Sequence, residues 1–308
     1  MNKNSKKRRK LSANDMQLYC LCLIPMLLVF AFNYVPMLGT IMAFKDYRYD
    51  QGILGSRWIG LKNFKTFLMG GEFPKLVRNT VGMNFIFIVV GLVCSVALAI
   101  LMYRVTSRLF TKVYQTIFIL PYFVSWVLVA YIVYAFLSPS AGVLNKIMIM
   151  CNLEEQNWYS KTSIWPGILT ICNTWKNVGM DSIYYYAALM SIDATLFEAA
   201  DVDGAKNFDK VKNIIVPSLV PLMTILTIMK IGGIFAADFG LFYQIPRNVG
   251  ALYDVTDVIS TYNFRVMRDI GNMGLGTAIS LFQSVVGIIL VLITNSLSKK
   301  IDKDLGLF

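Results

Sequence analysis

A chain of 308 residues with 56% hydrophobic and only 15% charged side chains carries more apolar surface, in longer runs, than a soluble core can bury. This excludes a soluble domain and predicts an all-α integral membrane protein. The net charge of +11 requires no nucleic acid, because basic edges facing anionic membrane lipids account for much of it. With no His, the commonest general base and metal ligand is missing, so neither a catalytic group nor a metal site is expected. Cys20, Cys22, Cys94, Cys151 and Cys172 have no metal-ligand spacing and read as small buried hydrophobes.

Residues 1–17 form a basic segment containing Lys6, Lys7, Arg8, Arg9 and Lys10. The apolar run over 18–44 is far too long for a cleaved signal peptide and is read as a first, uncleaved anchor helix. Five further runs long enough to cross a bilayer cover 80–103, 113–137, 164–190, 217–237 and 277–297, within a core spanning 80–298. Lys and Arg near the span ends set the orientation. With the basic N-terminus inside, six crossings put three groups in the cytoplasm: Arg104, Arg108 and Lys112; the polar loop 191–217; and the tail 299–308 with Lys299, Lys300 and Lys303. Both termini are then cytoplasmic, and 45–79, 138–163 and 238–276 lie outside. The first outer segment dissents, since it carries Lys45, Arg48, Arg57, Lys62, Lys65, Lys75 and Arg78. The opposite orientation would export both the N-terminal cluster and the polar loop, a larger violation. In the last outer segment Asp254, Asp257 and Asp269 are too scattered for a catalytic cluster and read as solvated loop charges.

The fourth span holds residues that do not belong in lipid. Asn173, Lys176, Asn177 and Asp181 lie within it, and a charge near the middle of a membrane helix costs about 2.5–3.5 kcal/mol on insertion scales. At about 100° per residue, with Asn173 at zero, Lys176 falls near 300°, Asn177 near 40°, Asp181 near 80° and Tyr184 near 20°. These five share an arc of about 140°, a polar face turned inward. Lys176 and Asp181 stand too far round the helix to pair, so their partners lie on other helices or in water. Rise per residue places Lys230 of the fifth span about 20 Å beyond Pro217, at the level of Lys176. Two cations at that depth suggest a hydrated cavity, although backbone carbonyls and packed small residues would also satisfy them. Trp126, Tyr131 and Tyr134 in the third span could stack on sugar rings or form core and interface belts. Gly232 and Gly233 suit close helix packing or a hinge.

Between the fourth and fifth spans stand Glu198, Ala199 and Ala200, then Asp203 and Gly204, and finally Ile214, Ile215, Val216 and Pro217. Small Ala side chains admit a close partner, and Gly204 supplies a positive-φ turn. This spacing resembles the EAA loop of permease subunits of binding-protein-dependent ABC importers, with Val216 in place of the usual Leu. Phe44 to Tyr47, Trp58 to Phe64 and Arg78-Asn79-Thr80 resemble the first external region of sugar-importer permeases. Leu120 to Trp126, Ser138 to Gly142, Ile231 to Ile234 and Asp257 to Tyr262, together with the loop, resemble more narrowly the polysaccharide-type branch related to the maltose-transporter permeases, found mostly in Gram-positive bacteria.

The resemblance implies a type I ABC importer permease fold that takes oligosaccharides or complex glycans inward by alternating access. It implies a second homologous permease, two copies of a cytoplasmic ATPase and an extracellular, lipid-anchored solute-binding protein in a bacterial plasma membrane. This chain has no P-loop, so ATP and Mg belong to the ATPase and no cofactor is expected here. Glu198, Ala199, Ala200, Asp203, Gly204 and Pro217 would couple to the ATPase. The substrate path would run past Asn173, Lys176, Asn177, Asp181, Tyr184, Lys230, Trp126 and Tyr131. Asn173 stands where the maltose-type permease carries a sugar-facing Asn. An importer for a non-sugar solute shares the loop and is the alternative. A secondary transporter leaves the loop unexplained, and a membrane-bound transferase lacks its acidic cluster.

Overall fold

The computed structural model describes residues 13–301; the basic cluster at 6–10 and Lys303 lie outside the described residues. The fold is mostly helical. Its main helices are α1 (Ala13–Val29), α2 (Lys62–Leu68), α3 (Phe73–Tyr103), α4 (Arg108–Ile119), α5 (Trp126–Leu137), α6 (Val143–Met150), α7 (Trp165–Leu189), α8 (Ala194–Val202), α9 (Asn207–Gly232), α10 (Phe239–Gln244), α11 (Ile259–Arg268) and α12 (Met273–Ile301). Among the described residues four helices are long and apolar enough to cross a membrane: Tyr19–Phe44, Phe73–Tyr103, Asn207–Gly232 and Met273–Lys300. The pair α4 and α5 makes a fifth if its two halves count as one span. Helix α7 is 25 residues long, and its polar residues keep it below the same apolarity.

Proline writes the irregularities. Pro36 and Pro217 lack the N–H that would bond back one turn, and each is preceded by a π-helical turn, at Phe30–Tyr34 and Val211–Ile215. Pro121 does more. The run expected as one span over 113–137 breaks into α4, a 3-10 turn at Leu120–Phe123, and α5 at 94° to the first half. The Ser125 hydroxyl then starts α5 by accepting from the Leu128 N–H at 3.4 Å.

The bundle centres on α3 and α7, which pack along their length. Helix α3 buries Gly91, Ser95 and Ala99 at four-residue spacing, the small-residue stripe that lets membrane helices approach. On α7, Gly179 lies against the end of α4 so closely that a Cβ would stand 1.7 Å from the Phe118 carbonyl oxygen. Helix α9 closes on α12 where Gly232 meets Val291 and Gly287. By contrast, the first span leaves its apolar side chains exposed as far as Leu38, and its last turns, Leu38–Phe44, pack on α12.

The dissenting basic segment is largely committed to internal bonds. Lys45 is buried and donates to the Ile53 and Leu54 carbonyls at 2.7 and 3.1 Å, Lys75 pairs with Glu72, and Arg78 lies 3.8 Å from Asp254. Strands Lys45–Asp46 and Arg57–Trp58 pair antiparallel, with Lys45 opposite Trp58. The Arg78-Asn79-Thr80 phrase ties α3 to the 254–259 segment: Asn79 donates to the Asp254 and Asp257 carbonyls, and Thr80 Oγ1 accepts from the Ile259 N–H at 3.0 Å. Asp257 is not the solvated charge expected. It is 2% exposed, paired with Arg265 at 2.5 Å and bonded by the Thr261 hydroxyl. Among the cysteines only Cys172 is buried; Cys94 is half-buried, Cys20 and Cys22 face outward from the first span, and Cys151 is exposed in the turn after α6.

Candidate functional site

Helix α8 and the turn after it form the first candidate site. Asp193 caps the helix by accepting from the Thr195 N–H at 3.0 Å, and hydrogen bonds from Thr195 hold its carboxyl below the usual carboxylate range. Phe197 turns inward onto Tyr103, ring centroids 6.0 Å apart, and joins the cluster around Leu189, Ile215 and Leu219. Glu198 and Ala199 face outward beside exposed Leu196 and Val202, and Ala200 is half-buried. The helix ends in a closed turn. Asp203 donates its N–H to the Ala199 carbonyl, Gly204 to Asp201 and Ala205 to Ala200, with Gly204 at φ +75°. Asp201 also pairs with Lys210, which locks α8 to the start of α9. Pro217 does not end the loop as the spacing suggested: α9 already begins at Asn207, and Pro217 lies within it, behind the π-helical turn.

The second candidate site is a cavity of about 330 Å³ between α3, α7 and α9. Asn173, Asn177, Asp181 and Lys230 all line it, as do Asn84, Tyr122 and Thr174, which periodicity did not single out. Lys230 pairs with Asp181 at 2.5 Å, the partner on another helix sought for Asp181, rather than sharing the level of Lys176 five residues away along α7. Asn177 donates to the Asn173 side chain and carbonyl at 3.0 Å, and Asn84 donates to the Ile234 carbonyl at 2.8 Å. The walls therefore present amides, a paired carboxylate and ammonium, and the Phe87 and Tyr122 rings.

Lys176 leaves the cavity and turns upward. Its ammonium donates to the carbonyls of Pro121 at 3.4 Å, Tyr122 at 2.7 Å and Val124, at the break between α4 and α5; the Pro121 carbonyl also accepts from the Val124 N–H at 3.1 Å. A cation at carbonyls exposed by a helix end is favourable in both charge and hydrogen bonding. The same ammonium sits 5.2 Å from the Trp126 ring centre and 5.7 Å from that of Tyr122. Trp126 in turn donates its indole N–H to Asp238 at 2.7 Å, bridging α5 to the start of α10. Tyr184 and Tyr131 stand apart from the cavity. Tyr184 is an exposed side chain on α7, and Tyr131 lines a separate hollow between α5 and α10.

A helical membrane protein with an exposed Glu-Ala-Ala helix between two spans, and a polar cavity between those same spans, has the build of a transport subunit. The binding-protein-dependent transport system inner membrane component family matches residues 88–305, and the chain belongs to it. It is a multi-pass membrane permease of an ABC importer served by a solute-binding protein, not an enzyme. The chain is 34% identical to the protein LplB of Bacillus subtilis strain 168, over 96% of this chain and 92% of that protein. It is 30% identical to YteP, the polygalacturonan/rhamnogalacturonan transport system permease of the same organism, over 98% and 94% of the two chains. Among solved structures it is similar to a chain of a bacterial ABC transporter that imports the acidic polysaccharide alginate. That match has TM-score 0.84 and 32% identity, covering 94% of this chain and 97% of that one. A chain of a bacterial alginate ABC transporter solved in complex with an alginate pentasaccharide-bound periplasmic protein matches at TM-score 0.83 and 32% identity over 94% of this chain and 96% of that one.

Proposed function

We propose that this chain is one of two homologous permeases in an ATP-driven importer of oligosaccharides or complex glycans in a bacterial plasma membrane, of the Gram-positive type. The observation that carries the reading is the amide-lined cavity of about 330 Å³ flanked by the helices on either side of the Glu-Ala-Ala element. Amides, a carboxylate and an ammonium can exchange hydrogen bonds with sugar hydroxyls, and the Tyr122 ring offers a face to sugar C–H groups. Asn173, Asn177, Asp181 and Lys230 are the contacts proposed. Lys176 and Trp126 hold the roof of the path, and Tyr184 and Tyr131 lie beyond the cavity.

Two copies of a cytoplasmic ATPase bind ATP and Mg and grip α8 through Glu198, while Ala199 and Ala200 allow close approach. Asp203, Gly204 and Pro217 shape the turn and the helix through which motion reaches α9. A lipid-anchored solute-binding protein delivers the glycan from outside. The names of YteP and of the alginate importer support a polysaccharide cargo.

The test is to purify the tagged chain from its native membrane, identify its companions and measure ATP hydrolysis with binding protein and glycan. A second permease, an ATPase and glycan-stimulated turnover are expected. A chain that purifies alone and transports without ATP overturns the reading.

A further inference from the structure

Outside the cavity, the hollow that contains Tyr131 presents a guanidinium with no carboxylate beside it. It holds about 230 Å³ and is lined by Val127, Ala130, Tyr131, Tyr243, Gln244, Arg247 and Asn248, with no carboxylate among them. Arg247 is exposed, and its guanidinium lies 4.0 Å from the Tyr134 ring centre, stacked on the side chain of α5 rather than paired. Among the described residues it has neither a carboxylate partner nor a side-chain hydrogen bond. The other cations near the path differ: Lys230 is neutralised by Asp181, and Lys176 is consumed by three carbonyls.

The backbone fixes this arrangement. Arg247 and Asn248 both adopt positive φ, 57° and 51°, in the turn that ends α10, held by N–H donation to the Gln244 and Tyr243 carbonyls at 3.1 and 3.2 Å. Non-glycine residues rarely occupy that region, and two in succession persist only where the surroundings impose it. The Asn248 side chain is anchored by the Tyr253 hydroxyl at 2.8 Å. Tyr243 is wedged between Phe239 and Phe264, with centroids at 4.8 and 5.2 Å.

We infer that this hollow is an outer subsite for a uronic acid residue of the transported glycan, with Arg247 receiving the sugar carboxylate. The planar guanidinium donates a bidentate pair of hydrogen bonds to the carboxylate, and Tyr131 and Tyr243 contact the ring. Gln244 and Asn248 serve the hydroxyls. Trp126, next in sequence to Val127, and Lys176, which lies over both the Trp126 and Tyr122 rings, stand between the hollow and the cavity. A glycan long enough to pass this pair would reach both.

This inference rests on the glycan-import reading, and the experiment separates the two. The reconstituted importer with its binding protein is assayed for ATP hydrolysis against oligogalacturonate, rhamnogalacturonan and alginate fragments, and against the same fragments with their carboxyls reduced to alcohols. Wild-type protein should respond to acidic fragments. Arg247→Gln should raise the half-maximal acidic fragment concentration by about tenfold, as expected for loss of a charged hydrogen-bonded pair, with the reduced fragments unaffected and Arg247→Lys intermediate. Stimulation of the wild type by neutral glycans alone, or equal loss for acidic and reduced fragments in Arg247→Gln, overturns the subsite and leaves glycan import standing. Weaker docking of sugar-free binding protein to Arg247→Gln would reassign Arg247 to a protein contact and also overturn it. If no glycan stimulates the wild type, both readings fail.

Discussion

At the scale of single residues, the two intramembrane lysines solve the same electrostatic problem differently. Lys230 is matched by a carboxylate across two helices. Lys176 is matched by backbone carbonyls at the break between α4 and α5. Neither is an unpaired charge in lipid, which is the condition for tolerating them. Lys176→Met keeps the length of the side chain but removes the donor to three carbonyls at the break. A lost charge-assisted network of this kind costs about 1–3 kcal/mol, and the detergent-solubilised protein should melt at a lower temperature. An unchanged melting temperature would show that water or another donor serves those carbonyls. The polar arc of Asn173, Asn177 and Asp181 was legible because helical period alone brings them to one face. Asn84 and Tyr122 were not legible, because each is a single polar or aromatic residue in a run whose role depends on which neighbour it meets.

At the scale of elements, close backbone approach holds the broken span in place. Gly179 lets α7 touch the end of α4, where a methyl group would lie 1.7 Å from the Phe118 carbonyl oxygen and 2.3 Å from its carbonyl carbon. Backbone cannot rotate aside as a side chain can. Gly179→Ala must push α4 away, and with it the turn whose carbonyls bind Lys176. Overpacking of this sort costs about 1–3 kcal/mol, so the variant should show reduced thermal stability in detergent, whereas Ala at Gly82, where nothing lies within 4 Å, should not. Equal stability of the two variants would remove the close approach as a constraint. The break itself was hidden by composition: the run over 113–137 is continuously apolar, and apolarity counts length without counting hydrogen bonds. Pro121 followed by Ser125 was the available signal, a helix stop and a cap four residues apart. The early start of α9 had the same cause, since polar Asn207 to Lys212 form helix outside the apolar stretch that marks a span.

At the scale of the whole molecule, α8 is the only element joining α7 to α9 in sequence, and those two helices wall the cavity and share the Asp181–Lys230 pair. Phe197 in the α7–α9 cluster and the Asp201–Lys210 pair tie α8 to both flanking helices. A force on its outer face would pass to α7 and α9, which wall the cavity. Glu198 is an exposed charged side chain of that face, one turn before exposed Val202. It makes no internal hydrogen bond or ion pair among the described residues, so its substitution leaves the fold intact. Glu198→Lys should insert and melt like the wild type, yet reduce glycan-stimulated ATP hydrolysis of the proposed importer by about tenfold or more, the effect of replacing an attractive charge by a repulsive one at a docking surface. Gly204→Val should also uncouple, but with a stability loss of about 1–3 kcal/mol from the positive φ. The contrast between the two is the informative measurement. Coupling lost without stability in Glu198→Lys assigns the residue to contact with the ATPase, whereas wild-type uptake by that variant would sink this route and place energy input elsewhere on the molecule.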